Sequence, residues 1–227
     1  MSYDLFIGDR TFSSWSLRGW LMLEKFGLPH RVHMVGLYGG TMVQDLAPVA
    51  PARLVPALRL PDGTPVGETL AMAETLAERH PEAGMWPEDP AARATARWLA
   101  AEMHAGFVAL RSACPMQLAH VNEGFAVNEA VRADLDRIEV LWQHARRMAK
   151  AEGPWLLGRY TLADVFYAPV AARITGYDLP VSDGARAYCA QTIADPAFQA
   201  WRAEGLKVRY DPFPYDLGLP QRPWPGD

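Results

Sequence analysis

Tyr3 to Ile7 open the chain as a short strand of alternating apolar residues. Residues 15–26 follow as an apolar helical segment stopped at Gly27, and His30 to Val35 reads as a second strand. Residues 36–52 carry Gly39-Gly40, Pro48 and Pro51, which predicts loop with about one turn of helix. Residues 57–60 and 65–66 flank Pro61-Asp62-Gly63-Thr64, a turn of the hairpin kind. Leu70, Ala73, Leu76 and Ala77 then mark one face of a helix over 69–80. The pattern gives an α/β unit of order β-α-β-α-β-β-α over residues 1–82.

Residues 83–90, with Pro87 and Pro90, read as a linker because proline interrupts both helices and sheet pairing. Residues 91–227 read as an all-α domain with an extended, proline-rich tail. Its clearest helix repeats Val127, Val131, Leu135, Ile138, Trp142, Ala145 and Ala149 at steps of three and four. Thr161-Leu162-Ala163-Asp164 has the form of a capping box, and residues 196–205 make a last short helix. The aromatic residues between Tyr210 and Asp227 predict a tail docked on the helical domain.

Composition narrows the function. The 227 residues are 50% hydrophobic and 21% charged with a formal charge of −4, which provides no basic face for nucleic acid. No apolar run approaches membrane-spanning length, and the N-terminus has no signal-peptide pattern. Cys114 and Cys189 have no metal-ligand spacing, which favours a reduced, cytoplasmic setting. No G-x-S-x-G elbow, phosphate loop or dinucleotide fingerprint is present.

The chemistry concentrates at Phe12-Ser13-Ser14-Trp15-Ser16-Leu17-Arg18, where the first strand passes into the first helix. The first N–H groups of a helix lack partners and, with the helix dipole, favour a negative charge. A serine there is also the ordinary N-cap residue, and both roles fit one turn. Two further signals accompany it, Leu54-Val55-Pro56-Ala57-Leu58 and Gly67-Glu68-Thr69-Leu70-Ala71.

These motifs, together with Thr161-Leu162-Ala163-Asp164 and an α/β half joined to a helical half, resemble the cytosolic glutathione S-transferases. The serine-type classes, and the zeta-like branch with its Ser-Ser-x-x-x-Arg turn, are the most similar. The resemblance implies a thioredoxin-like N-terminal domain, glutathione as cosubstrate without a metal, and a homodimer. Ser13 would donate a hydrogen bond to the glutathione thiolate, with the backbone N–H groups of Ser14 and Trp15 as further donors. The peptide before Pro56 would be cis, and Val55 would pair with the cysteinyl backbone of glutathione. Glu68 would meet the γ-glutamyl ammonium and Thr69 the adjacent carboxylate. Where many relatives place a polar residue before Val-Pro, this chain has Leu54; Arg53 or Gln44 is the candidate substitute.

His104, Phe107, Val108 and Arg111 have spacings that put them on one face of the first long C-terminal helix. That face is either a substrate wall, with His104, Phe107 and Arg111 as binding residues, or a core face with polar edges. The expected activity is attack of the thiolate on a small electrophile. The alternatives are a maleylacetoacetate-type cis-trans isomerase and a non-catalytic carrier of glutathione or apolar ligands. The lack of a cysteine at the first helix argues against thiol exchange.

Overall fold

A computed structural model describes residues 2–208, 215 and 217–226. Strands β1 (Tyr3–Ile7), β2 (His30–Met34), β3 (Ala57–Arg59) and β4 (Pro65–Val66) form one sheet in the order β2-β1-β3-β4. β1 runs parallel to β2 and antiparallel to β3, and β3 pairs antiparallel with β4. Helices α1 (Ser14–Glu24), α2 (Met42–Asp45) and α3 (Thr69–Arg79) complete the thioredoxin-like α/β unit.

β1 is buried along its whole length rather than on alternate residues. Leu5 and Ile7 join the main core with Leu17 and Leu21 of α1 and Met72 and Leu76 of α3. Phe6 joins a second cluster on the opposite side with Val35, Leu46, Val49 and Ala57. Both faces of a central strand are thus covered, which removes the polar alternation of a half-exposed strand. Asp4, also buried, bonds to Arg31 Nε (3.0 Å), His33 Nε2 (2.8 Å) and Arg59 Nη2 (2.9 Å). Burial opposes its ionisation, but the hydrogen bonds from His33, Arg59 and Arg31 outweigh that and hold the carboxyl well below the usual range.

The helical half comprises α4 (Pro90–Ala105), α5 (Val108–Ala113), α6 (Glu129–Met148), α7 (Leu162–Gly176), α8 (Asp183–Ile193) and α9 (Pro196–Gly205). Asp89, Asn128, Ser182 and Asp195 cap α4, α6, α8 and α9 through their side chains. At α7 the capping box forms: Asp164 Oδ2 accepts the Thr161 N–H at 2.9 Å. α7 is the central helix, buried on nearly every residue and packed against α1, α4 and α8. To the helices the structure adds a two-stranded ribbon, β5 (His120–Asn122) with β6 (Gln221–Pro223). Trp224 beyond it is 1% exposed, so the end of the tail docks as expected. Residues 209–214, 216 and 227 of that tail lie outside the described residues.

The expected continuous helix through 104–111 does not form. α4 ends at Ala105, Gly106 is its C-cap, and Phe107 takes a left-handed conformation with φ 57° before α5 begins. A Cβ at Gly106 would lie 2.7 Å from the Glu102 carbonyl oxygen, so glycine is needed for that close approach.

Candidate active site

The turn between β1 and α1 is organised by its own side chains. Asp9 Oδ1 accepts the N–H groups of Thr11 (2.8 Å) and Phe12 (3.2 Å), and the Asp9 carbonyl accepts the Ser13 N–H at 2.9 Å. Ser13 is the N-cap of α1; its Oγ accepts the Ser16 N–H at 3.3 Å. The Ser13 and Ser16 hydroxyls are 2.8 Å apart, and Ser16 Oγ also accepts the Gly8 N–H at 2.9 Å. Ser16 therefore ties the end of β1 to the helix start.

The two backbone donors expected of Ser14 and Trp15 are not equivalent. The Ser14 N–H already donates to the Phe12 carbonyl at 3.1 Å. Among the described residues the Trp15 N–H has no partner, which leaves it as the open donor of the turn.

These groups face a cavity of about 910 Å³ between the two halves. The peptide before Pro56 is cis, and Val55 lines the cavity with Arg53 and Leu54. Among the described residues neither the N–H nor the C=O of Val55 is hydrogen-bonded. Helix α1 comes close to this bend: a Cβ at Gly19 would lie 2.7 Å from Pro56 Cβ. Leu54 is 66% exposed at the rim. Gln44 lies on α2, away from the cavity lining, whereas Arg53 is part of it.

Glu68 and Thr69 line the cavity at the start of α3. Glu68 holds φ 59°, uncommon for a residue with a Cβ and characteristic of functional positions. Thr69 Oγ1 meets His104 Nδ1 at 3.3 Å, and Glu68 Oε2 lies 3.5 Å from His104 Nε2. Burial, and then the charge of Arg18, keep the His104 pKa below its ordinary value, with Glu68 pulling the other way. His104 therefore braces the two α3 residues instead of lining the substrate wall.

Phe107 also differs from the expectation. Its side chain is buried beside Tyr167, because the break after α4 turns it into the core. Arg111 does reach the cavity, but from α5, and its Nη1 donates to the carbonyls of His104 and Gly106, both at 3.2 Å. It thus caps the end of α4.

Three residues without an assigned role in the sequence reading lie at this site or directly behind it. Arg18 is fully buried and stacks over Trp15, its guanidinium carbon 3.8 Å from the ring centroid. Among the described residues its Nε and Nη1 have no hydrogen-bond partner. Arg173 of α7 reaches the cavity and donates from Nη2 to Ser14 Oγ at 3.4 Å. Tyr215 of the tail also lines the cavity and packs on Phe12, with ring centroids 4.6 Å apart. A charged residue inside the apolar run Val165 to Ile174 was the available signal for Arg173. Among the described residues no group of three or more His, Cys, Asp or Glu could hold a metal ion, and no helix is long and apolar enough to cross a membrane.

Residues 12–79, which include the serine turn, the Val55-Pro56 bend and α3, match the family model of the glutathione S-transferase N-terminal domain. These residues form a glutathione S-transferase N-terminal domain, and the chain is similar to proteins of that family. Its curated relatives include a probable maleylacetoacetate isomerase of Caenorhabditis elegans. That protein is 29% identical over 178 residues, 76% of this chain and 79% of the relative. The maleylacetoacetate isomerase of Rattus norvegicus is 25% identical over 76% of this chain and 78% of its own length. Among solved structures, a glutathione transferase homologue from Burkholderia with bound glutathione superposes with a TM-score of 0.67 at 23% identity. It covers 92% of this chain and 100% of its own. The Omega 3C glutathione transferase of Trametes versicolor gives a TM-score of 0.66 at 20% identity, covering 89% and 88% respectively. These two solved structures share the fold of the chain.

Proposed function

We propose that this protein binds glutathione as its thiolate at the start of α1 and directs it at a small electrophile. The observation that carries this reading is a single cavity that joins the hydroxyl-capped α1 terminus, the open Trp15 N–H and the unpaired backbone of Val55. A free thiol has a pKa of roughly 8.5, so each unit of lowering corresponds to about 1.4 kcal/mol of preference for the thiolate. Ser13 supplies one donor. An arriving anion lets Ser16 give its proton to Ser13 Oγ and frees the Ser13 proton for sulfur, because hydroxyl protons rotate to suit their partners.

The remaining roles follow the cavity. Val55 pairs with the cysteinyl backbone as a short added strand. Glu68, braced by His104, takes the γ-glutamyl ammonium, and Thr69 with its N–H takes the neighbouring carboxylate. Arg53, which lines the cavity, takes the glycyl carboxylate in place of the polar residue that many relatives carry where this chain has Leu54. Arg111, Ser112 and Met116 form the wall for the second substrate. A homodimer in the cytoplasm completes this reading.

A second reading is cis-trans isomerisation, in which glutathione adds to a double bond and leaves unchanged; the names of the curated relatives favour it. Maleylacetone turnover without loss of glutathione supports isomerisation, and stoichiometric loss of glutathione supports conjugation. The reading as a whole is tested by ultraviolet titration of glutathione bound to the wild-type protein. The thiol is expected to ionise below its free pKa; an unshifted thiol leaves only a carrier.

A further inference from the structure

We infer that Arg173 is a positioning residue that polarises the Ser14 hydroxyl toward the glutathione sulfur, an inference that rests on the thiolate site proposed above. α7 is apolar and buried around it, and Arg173 itself is 5% exposed. A guanidinium is costly in such surroundings unless the fold fixes it for a purpose. Its Nε donates to the Cys114 carbonyl at 2.9 Å and its Nη1 to the Pro169 carbonyl at 3.2 Å. Both acceptors are neutral, so they orient the planar fork without cancelling its charge. The remaining nitrogen, Nη2, is the one on Ser14 Oγ.

Among the described residues no carboxylate forms an ion pair with it. Burial, then the neighbouring charge of Arg111, bring its pKa down to about 10, so it stays protonated at neutral pH. The nearby Cys114 thiol is pushed up to about 12 by burial, and burial also raises the Tyr177 phenol, so both are neutral there. The Tyr215 phenol is the other titratable group of the cavity that bears on this charge.

The consequence for Ser14 is chemical. An oxygen that accepts from a guanidinium is a stronger donor of its own proton, and its remaining freedom points that proton into the cavity. When glutathione ionises, the S–H bond breaks and the proton leaves to solvent water. The sulfur lone pair then accepts from Ser13, from Ser14 and from the Trp15 N–H. Arg173 touches no reacting atom in this arrangement; it acts through Ser14.

The test is the ultraviolet titration of the bound thiol in Ser14→Ala, Arg173→Met, Arg173→Lys and the Ser14→Ala/Arg173→Met double variant. Either single removal should raise the thiol pKa by about one unit, a roughly tenfold fall in the thiolate-to-thiol ratio at any given pH. The double variant should match the singles within about twofold, because both remove one relay. Arg173→Lys should recover part of the shift. Affinity for glutathione at acid pH, where the thiol is protonated, should stay within about threefold of wild type by calorimetry. Ser14→Ala is a minimal change at a helix start, so it carries the test even where Arg173→Met folds poorly. A wild-type shift that persists unchanged in Ser14→Ala overturns this inference alone. A wild-type protein with no shift overturns it together with the proposed function.

Discussion

Two groups of buried charge in this molecule are handled in opposite ways. In the sheet, Asp4 is surrounded by Arg31, His33 and Arg59. At the cleft, burial lowers the pKa values of Arg18, Arg111 and Arg173, the charges of Arg111 and Arg173 add to this at Arg18 and that of Arg111 at Arg173, and none is paired with a carboxylate among the described residues. The first arrangement neutralises a charge that folding buries. The second leaves positive charge uncompensated beside a helix N-terminus, where an anion is needed to complete it. Stability and function therefore separate by location. Charges on the sheet support the fold, and under the proposed function those at the cleft prepare it for a ligand.

The sharpest test of that separation is Ser13→Ala. Removing one donor at the anion site should lower kcat/KM about a hundredfold, while helix capping loses about 1 kcal/mol. Steady-state kinetics with urea unfolding separate the two effects, and a loss of stability alone would place Ser13 with the structural residues.

Asp4→Ala should behave in reverse, costing about 2 kcal/mol in urea unfolding with kcat/KM unchanged. Its pH dependence has a definite sign. The folded carboxyl titrates below the unfolded one, so its contribution is present above pH about 4 and is lost as pH falls below it. Asp4→Asn should therefore flatten the acid limb of the wild-type stability curve; an unaltered limb would mean the cluster is not coupled to folding.

Next in size is Arg111→Gln. Its KM for an anionic electrophile should rise about tenfold, with that for a neutral one nearly unchanged. Equal effects on both substrates would make Arg111 a helix cap only. The smallest effect, and the most diagnostic by sign, is expected of Arg18→Met. A buried guanidinium without hydrogen-bond partners is replaced by an apolar side chain, which should raise stability by about 1 kcal/mol while activity falls. A destabilised variant would show that stacking on Trp15 outweighs the burial of the charge.

The parts that could be read from the chain are those made by neighbours in sequence. The N-cap at Ser13, the capping box from Thr161 to Asp164, and the hairpin around Pro61 to Thr64 each depend on groups within a few residues. The same locality let the elements of the α/β half be placed closely, because each is bounded by its own glycine, proline or cap. The helix through 104–111 was misread because period alone cannot register that Gly106 and Phe107 leave helical geometry. Phe107 and His104 then turn to different surroundings, one into the core and one onto Glu68 and Thr69.

Sequence by itself determined the order of elements in the α/β half and the hydroxyl-bearing turn, since local capping and hydrophobic period are written in residues that touch along the chain. Only the tertiary structure decided which side chains share the cavity. Ser14 and Arg173 stand 159 residues apart yet meet at 3.4 Å, and Glu68 meets His104 through the packing of α3 on α4. Such contacts depend on how helices pack across a common core, and no local pattern encodes a distance between residues so far separated along the backbone.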